Sequence, residues 1–169
     1  VKVSATWFDN EYRNLINTRV TNPQTFSSQY FNIGLTQARG LETAVEVAPH
    51  KYVRGRFGYT YMDSVIVDST SPASAVLKSG QSLFRRPTHS GYAGVTWHDS
   101  RLTVDLDGVF LGSYVDSDFS SLTPAILLGG NYSTWDARFG YKLMPKLSVT
   151  AAIDNLANAQ YMQPLGYPA

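Results

Sequence analysis

The residues of this chain best suited to holding a metal or moving a proton are His50, His89 and His98 and a scatter of carboxylates. No H-x-x-x-H pair and no carboxylate-bearing ligand spacing joins the histidines. They read as solvated or hydrogen-bonded residues in two turns and a strand. In "SYVDSDFSS", Asp116 and Asp118 stand two apart, as oxygen ligands of calcium do, but the glycine turn and distal glutamate of an EF-hand loop are missing. A polar loop tip fits that stretch better. Serine is abundant, yet no G-x-S-x-G elbow is present to present a nucleophile. Gly129-Gly130 lacks the lysine and the strand-to-helix setting of a phosphate loop. The chain is expected to be no enzyme and to hold neither metal nor cofactor.

The remaining charges are ordered by position rather than clustered. In "YVRGRFGYTYM", Val53, Gly55, Phe57, Tyr59 and Tyr61 alternate with Arg54, Arg56, Gly58, Thr60 and Met62. In "RLTVDLDGVFLGSY", Leu102, Val104, Leu106, Phe110 and Tyr114 alternate with Thr103, Asp105, Asp107 and Leu111. Trp135, Ala137, Phe139, Tyr141 and Leu143 likewise oppose Asp136, Arg138 and Lys142. A period of two means strands, and helical spacing is almost nowhere visible. The pattern predicts seven strands, near residues 1–17, 29–48, 52–65, 86–98, 101–115, 131–143 and 147–157.

Connections at Pro49–Lys51, His98–Ser100 and Met144–Lys146 are tight. Those near Thr18–Ser28, Ile66–Arg85 and Asp116–Gly130 are long and rich in Ser, Thr, Pro and Gly. Strict alternation of short and long places every long loop at one end of an antiparallel up-and-down meander. Three long loops on one edge suggest a binding rim, whereas a soluble sandwich would need Greek-key crossings.

Which solvent each face meets follows from length and from aromatic placement. Strands of about 12–15 residues exceed the globular mode of about 5–6 and suit a tilted membrane crossing. The apolar faces end in rings: Trp7, Tyr59, Tyr61, Trp97, Phe110, Tyr114, Trp135 and Tyr141. Such girdles mark the two interfaces of a bilayer. The opposite faces carry Glu42, Glu46, Arg54, Arg56, Asp105, Asp107, Asp136, Arg138 and Lys142, as a water-filled interior requires. A soluble calyx would reverse these sides and put the apolar face within. Charged residues are only 16% of the 169, the net charge is +1 and cysteine is absent. That balance offers no electrostatic basis for binding nucleic acid.

Three stretches say more than the period. "NIGLTQARGLETAVEVAPHKYVRGRFGYTYMDS" (32–64) resembles the G-x-E strand, short turn and Tyr-rich return strand of TonB-dependent outer-membrane receptors. "LFRRPTHSGYAGVTW" (83–97) is similar to that family's R-x-P-x-H descent from an extracellular loop. "AAIDNLANAQYMQPLGYPA" (151–169) resembles its penultimate strand with the N-L pair, although Ala157 and Asn158 replace the usual aromatic and charge.

The resemblance implies an all-β fold: seven strands of a 22-stranded type of transmembrane barrel in a Gram-negative outer membrane. Residues 1–169 would form part of the C-terminal half, with the plug domain and the final strand absent. A piece of this kind would need neighbouring strands, because unpaired edges cost several kcal/mol per group in lipid.

The function it implies is active transport, driven by the TonB complex through an absent N-terminal part. The cargo would be a scarce small-molecule chelate, a ferric siderophore or else cobalamin. Partners are lipid, the protein's own plug and the remaining strands. On this reading Arg19, Tyr30, Tyr114, Tyr132 and the loop 66–85 are rim candidates for ligand contact. Glu42, Glu46, Arg54, Arg56, Asp105, Asp107 and Arg138 are lumen charges, serving as a wetted wall or as plug contacts. The rival readings are an outer-membrane barrel enzyme or autotransporter translocator, and a soluble β-barrel ligand-binding module.

Overall fold

Backbone N–H and C=O groups must find partners, and a chain without helical period finds them strand to strand. The computed structural model describes residues 1–22, 24–25, 27–69, 77–117 and 126–162, leaving aside the side chains of 18–22 and 28. The strands are β1 (Lys2–Asn22), β2 (Ser27–His50), β3 (Val53–Asp68), β4 (His89–His98), β5 (Leu102–Ser117), β6 (Ile126–Met144) and β7 (Leu147–Ile153). They form one sheet in chain order, each antiparallel to the next.

The boundaries differ from expectation mainly at the long-loop end. β1 and β2 continue to Asn22 and from Ser27, so the expected loop 18–28 shrinks to residues 23–26. Its polar residues pair edge to edge as Thr18↔Tyr30 and Arg19↔Gln29, a hairpin that needs no apolar face. The β5–β6 link narrows in the same way to residues 118–125.

β4, by contrast, starts at His89 rather than at 86. Pro87 has no N–H to donate, and Arg85 adopts φ 57°, outside any ladder geometry. The chain above β4 still tracks β3 irregularly: Ile66 N donates to Gln81 O at 2.8 Å and Met62 N to Thr88 O at 2.9 Å. It also reaches across to β5, where Arg85 N donates to Val115 O at 2.8 Å.

β7 stops at Ile153, short of 157, because Asn155 (φ 52°) and Asn158 (φ 47°) turn the backbone left-handed. The amide of Asn155 mimics a strand partner. Its Nδ2 donates to Ala159 O at 3.0 Å, and its Oδ1 accepts from Ala159 N at 2.8 Å. Asp136 accepts from Asn155 N at 2.8 Å, and Leu156 N rejoins β6 through Trp135 O at 2.6 Å.

Buried side chains gather at the long-loop end, including Tyr114, Asp116 and Ser117 of β5. Ile33, Ile66 and Leu77 form a small core with Phe31, Leu83 and Phe84 packed against it, where the returning loop meets β2 and β3. Elsewhere the sheet is a single layer. Phe57 is 50% exposed, Phe110 40% and Phe139 44%. A soluble domain covers such a face with a second layer, and among the described residues none does.

The tight turns need fixed geometry. In the β4–β5 turn the Asp99 carboxylate accepts from Arg101 N at 2.8 Å and Leu102 N at 2.9 Å. These two bonds hold its pKa below the ordinary carboxylate value. The folded pKa is depressed, so the turn is stabilised at every pH above the unfolded value of about 3.9 and loosens as pH falls through the folded value. Amide exchange in the full-length protein should show both N–H groups protected at neutral and mildly acidic pH. Protection should fade only below about pH 3.9, and Asp99→Asn should weaken it above that pH and remove its pH dependence.

Candidate functional site

The register turns the alternating charges into a wall. Reading across the sheet, Lys2, Glu46, Arg56, Gly94, Asp107 and Asp136 occupy one row on one face. The next row toward the tight turns holds Arg54, Thr96, Asp105 and Arg138. Glu42 sits farther toward the long loops, opposite Thr6 and Thr60. The seven expected lumen charges therefore share one face.

Glu46 stands between Lys2 and Arg56 and pairs with Lys2 at 3.8 Å. Arg56 Nη2 instead reaches over Gly94 to Asp107 Oδ1 at 2.6 Å. Gly94 makes this possible, because a Cβ there would collide with Asp107 Oδ1 and Arg56 Nε. The diversion resolves a conflict: Asp107 lies directly opposite Asp136, and like charges so placed destabilise a sheet. Asp107 turns to Arg56, while Asp136 turns to the Asn155 amide. Asp105 accepts from Thr96 Oγ1 at 2.7 Å. Among the described residues, Arg54 and Arg138 make no ion pair, and Arg54 and Arg56 line an open groove with Glu46 and Thr96.

The other face is the inverse. Five successive rows, from Val53–Trp97–Val104–Phe139 to Trp7–Leu41–Tyr61–His89, contain no Asp, Glu, Lys or Arg. Exposed rings stand in both end rows, Trp97 at 39% near the tight turns and Trp7 at 65% toward the long loops.

The rim candidates separate. Tyr30 projects at 76% exposure from the β1–β2 hairpin. Tyr132 is half-buried and stacks on Tyr161, with centroids 4.3 Å apart and planes 12° from parallel. Tyr114, expected to project, is buried at 3% exposure, with no partner for its hydroxyl among the described residues. Its ring lies against Gly129 and Gly130 of β6. Arg19 is backbone-paired with Gln29, its side chain lying outside the described residues, as does much of the loop 66–85.

One polar pair escaped sequence reasoning. Arg85 Nε donates at 3.1 Å to Asp116 Oδ1, whose side chain is fully buried and also accepts from Ser117 N at 2.8 Å. The only signal was the arginine of the R-x-P-x-H stretch. Asp116, weighed as a calcium ligand, is an arginine's counter-ion.

A two-faced antiparallel wall with wetted charges, girdling rings and loops at one end is what a membrane barrel presents. The sequence profile of the family described as "TonB dependent receptor-like, beta-barrel" matches residues 1–156. This chain belongs to that family.

Solved receptors share the fold. The siderophore receptor PiuA from Acinetobacter baumannii superposes with TM-score 0.70 at 18% identity, covering 94% of this chain and 22% of its own. The ferric-catecholate import receptor Fiu from E. coli K12 gives 0.67 at 18% identity, covering 94% of this chain and 21% of its own. The pyoverdine outer membrane receptor FpvA from Pseudomonas aeruginosa PAO1 gives 0.69 at 16% identity, covering 94% and 23%. This receptor chain thus spans about a fifth of the length of the proteins it superposes on. Family and neighbours are receptors rather than enzymes.

The Arg56–Asp107 pair is cross-strand and partly exposed, so its coupling should be small. A double-mutant cycle with Arg56→Leu and Asp107→Leu in the full-length receptor should return about 0.2–1 kcal/mol. Gly94→Val should remove that coupling with both charges still present, as read by denaturant unfolding in detergent.

Proposed function

We propose that these residues are a section of the transmembrane wall of a TonB-driven outer-membrane receptor that imports a ferric siderophore. The single observation that carries the reading is the division of the sheet into an uncharged face and an ionic one. A soluble binding module would hide the uncharged face, which here stays open over five rows. Over the five rows, from Val53 to Tyr61, the strand advances about 26 Å at about 3.3 Å per residue. At a tilt of about 40° that is about 20 Å along the normal, comparable to the apolar band of about 25 Å in such barrels.

The two outermost strands, β1 and β7, each have one pairing edge unused among the described residues. In lipid those edges require further strands, which supports placing this section in the C-terminal half of a larger barrel. Arg54 and Arg138, lacking ion pairs here, are the wall charges best placed to meet a plug domain, and Tyr30 is the exposed rim contact for the chelate. Ferric siderophore is preferred to cobalamin because the receptors on which the fold superposes are named for siderophores, ferric catecholates and pyoverdine. The loops and plug would bind the chelate and TonB would drive the rearrangement that admits it, without covalent chemistry.

Two measurements test this. In outer-membrane vesicles carrying the full-length receptor, cysteines replacing Phe57 or Phe110 should resist a membrane-impermeant maleimide. Those replacing Arg54 or Thr60 should label several-fold faster, and equal rates would refute the assignment of faces. Cells carrying the receptor should accumulate a radiolabelled ferric siderophore only when TonB is present. Accumulation indifferent to TonB would remove the energised step.

A further inference from the structure

The cations of the ionic face are not all answered alike. Lys2 and Arg56 pair with Glu46 and Asp107 in the middle row. Nearer the tight turns, Arg101, Arg138 and Lys142 have no side-chain partner among the described residues. All three line one open groove of about 560 Å³ at that end of the sheet, and Lys142 N donates to Arg101 O at 2.8 Å. Two carboxylates share the groove, and both are engaged. Asp99 accepts from Arg101 N and Leu102 N in the turn, and Asp105 accepts from Thr96 Oγ1. His98 shares a 2.8 Å hydrogen bond with the Thr103 hydroxyl. With the histidine neutral, the groove carries three positive charges against two negative, and the positive ones lack partners.

Gly140 forms its floor. The register sets this glycine between Thr103 of β5 and Thr150 of β7, and along β6 it lies between Arg138 and Lys142. Gly94 and Gly108 are bare because Arg56 and Trp135 of the sheet itself lie over them. Gly140 is covered by neither kind of side chain. A Cβ there would meet nothing nearer than Thr103 Cβ and Thr150 Cγ2, both at 3.9 Å. A strand glycine left open in this way leaves room for the close approach of another backbone. Arg138 and Lys142 stand about 13 Å apart along the strand, at about 3.3 Å per residue. In an extended segment, carboxylates two to four residues apart are separated by about 7–13 Å. Two acids of such a segment can meet the two cations while its main chain passes over the glycine.

We propose that this groove seats an acidic segment of the plug domain, extended over Gly140, with Arg138 and Lys142 each taking one carboxylate. Arg101 adds its charge from the adjoining turn. This rests on the ionic face lining the bore. The preference for acid comes from the charge left over in the wall: a basic occupant would add to three unanswered cations, and an uncharged one would leave them unpaired.

The test uses the full-length receptor in outer-membrane vesicles. A photoreactive benzophenone residue at Thr150, on the flank of the groove, should cross-link to a plug peptide with two or more Asp or Glu within a few residues. The same residue at Val149, on the opposite face, should capture no plug peptide. Arg138→Glu combined with Lys142→Glu should lower the Thr150 yield several-fold. Lysines in place of the captured acids should restore it in that background, and Lys51→Glu, in a turn outside the groove, should leave it unchanged.

Capture of a segment without acids, or a yield indifferent to the double reversal, would overturn the proposal and leave the ionic face inside the bore. So would a Thr150 probe that captures no plug peptide while Val149 captures none either. A plug cross-link from Val149 and none from Thr150 would overturn the assignment of faces itself. The cross-link from Thr150 needs no charge variant, so it decides the occupant even if the double reversal fails to fold.

Discussion

A β-strand has two faces and no interior, so a one-layer sheet must satisfy whatever lies on each side of it at every residue. Here the two sides make opposite demands. One face offers five rows without a formal charge, and the other gathers Lys2, Glu46, Arg56, Asp107 and Asp136 into a single row. Sliding one strand by one residue would exchange the faces, placing Arg54 and Arg56 among Phe57 and Val95. With the uncharged face against lipid, as proposed, the cost of burying an unpaired charge would fix the register along the whole sheet, in place of the layered core that does this in soluble proteins. The small cluster of Ile33, Ile66 and Leu77 serves only the end where a loop folds back.

Within that constraint the wall settles its own conflicts. A strict alternation of charges put two aspartates face to face at Asp107 and Asp136. The remedy lies in an absent side chain: Gly94 leaves room for Arg56 to cross one strand and reach the second. Glycine weakens a strand by its entropy and its missing contacts, but at this position it opens a passage for an ion pair. On the other face the Trp135 ring lies over Gly108 and fills the corresponding gap. Glycine paired with a large neighbour is thus a repeated means of letting long side chains lie across a thin sheet.

Most of the architecture was legible in the sequence because period two, strand length and the short–long rhythm of connections each report a physical demand that acts locally. The seven strands, their order and the common face of the seven wall charges follow from those alone. What was not legible depended on partners distant in sequence. Arg85 meets Asp116 across an irregular crossing, Tyr132 is taken up by Tyr161, and Tyr114 is enclosed rather than displayed. The β1–β2 hairpin outran its expected end because composition marks Ser, Thr and Asn as loop formers, whereas Thr18 and Val20 pair readily when no face must be buried. Two of the motifs that suggested the family fall where the sheet departs from regularity, since Arg85 and Asn155 both take left-handed backbone; Gly40 of the G-x-E strand sits in unbroken register, where a Cβ would meet the Tyr61 carbonyl. A meander needs particular residues where it breaks its own rule.

The short β4 has a consequence for how such proteins diversify. Above His89 the space between β3 and β5 is occupied by chain held through a handful of main-chain bonds and one salt link to Asp116. Leu77, Leu83 and Phe84 of that chain are committed to the core with Ile33 and Ile66, whereas the register of β4 below is set by its pairing with β3 and β5. Residues between those anchors can then be exchanged without redesigning the staves beneath.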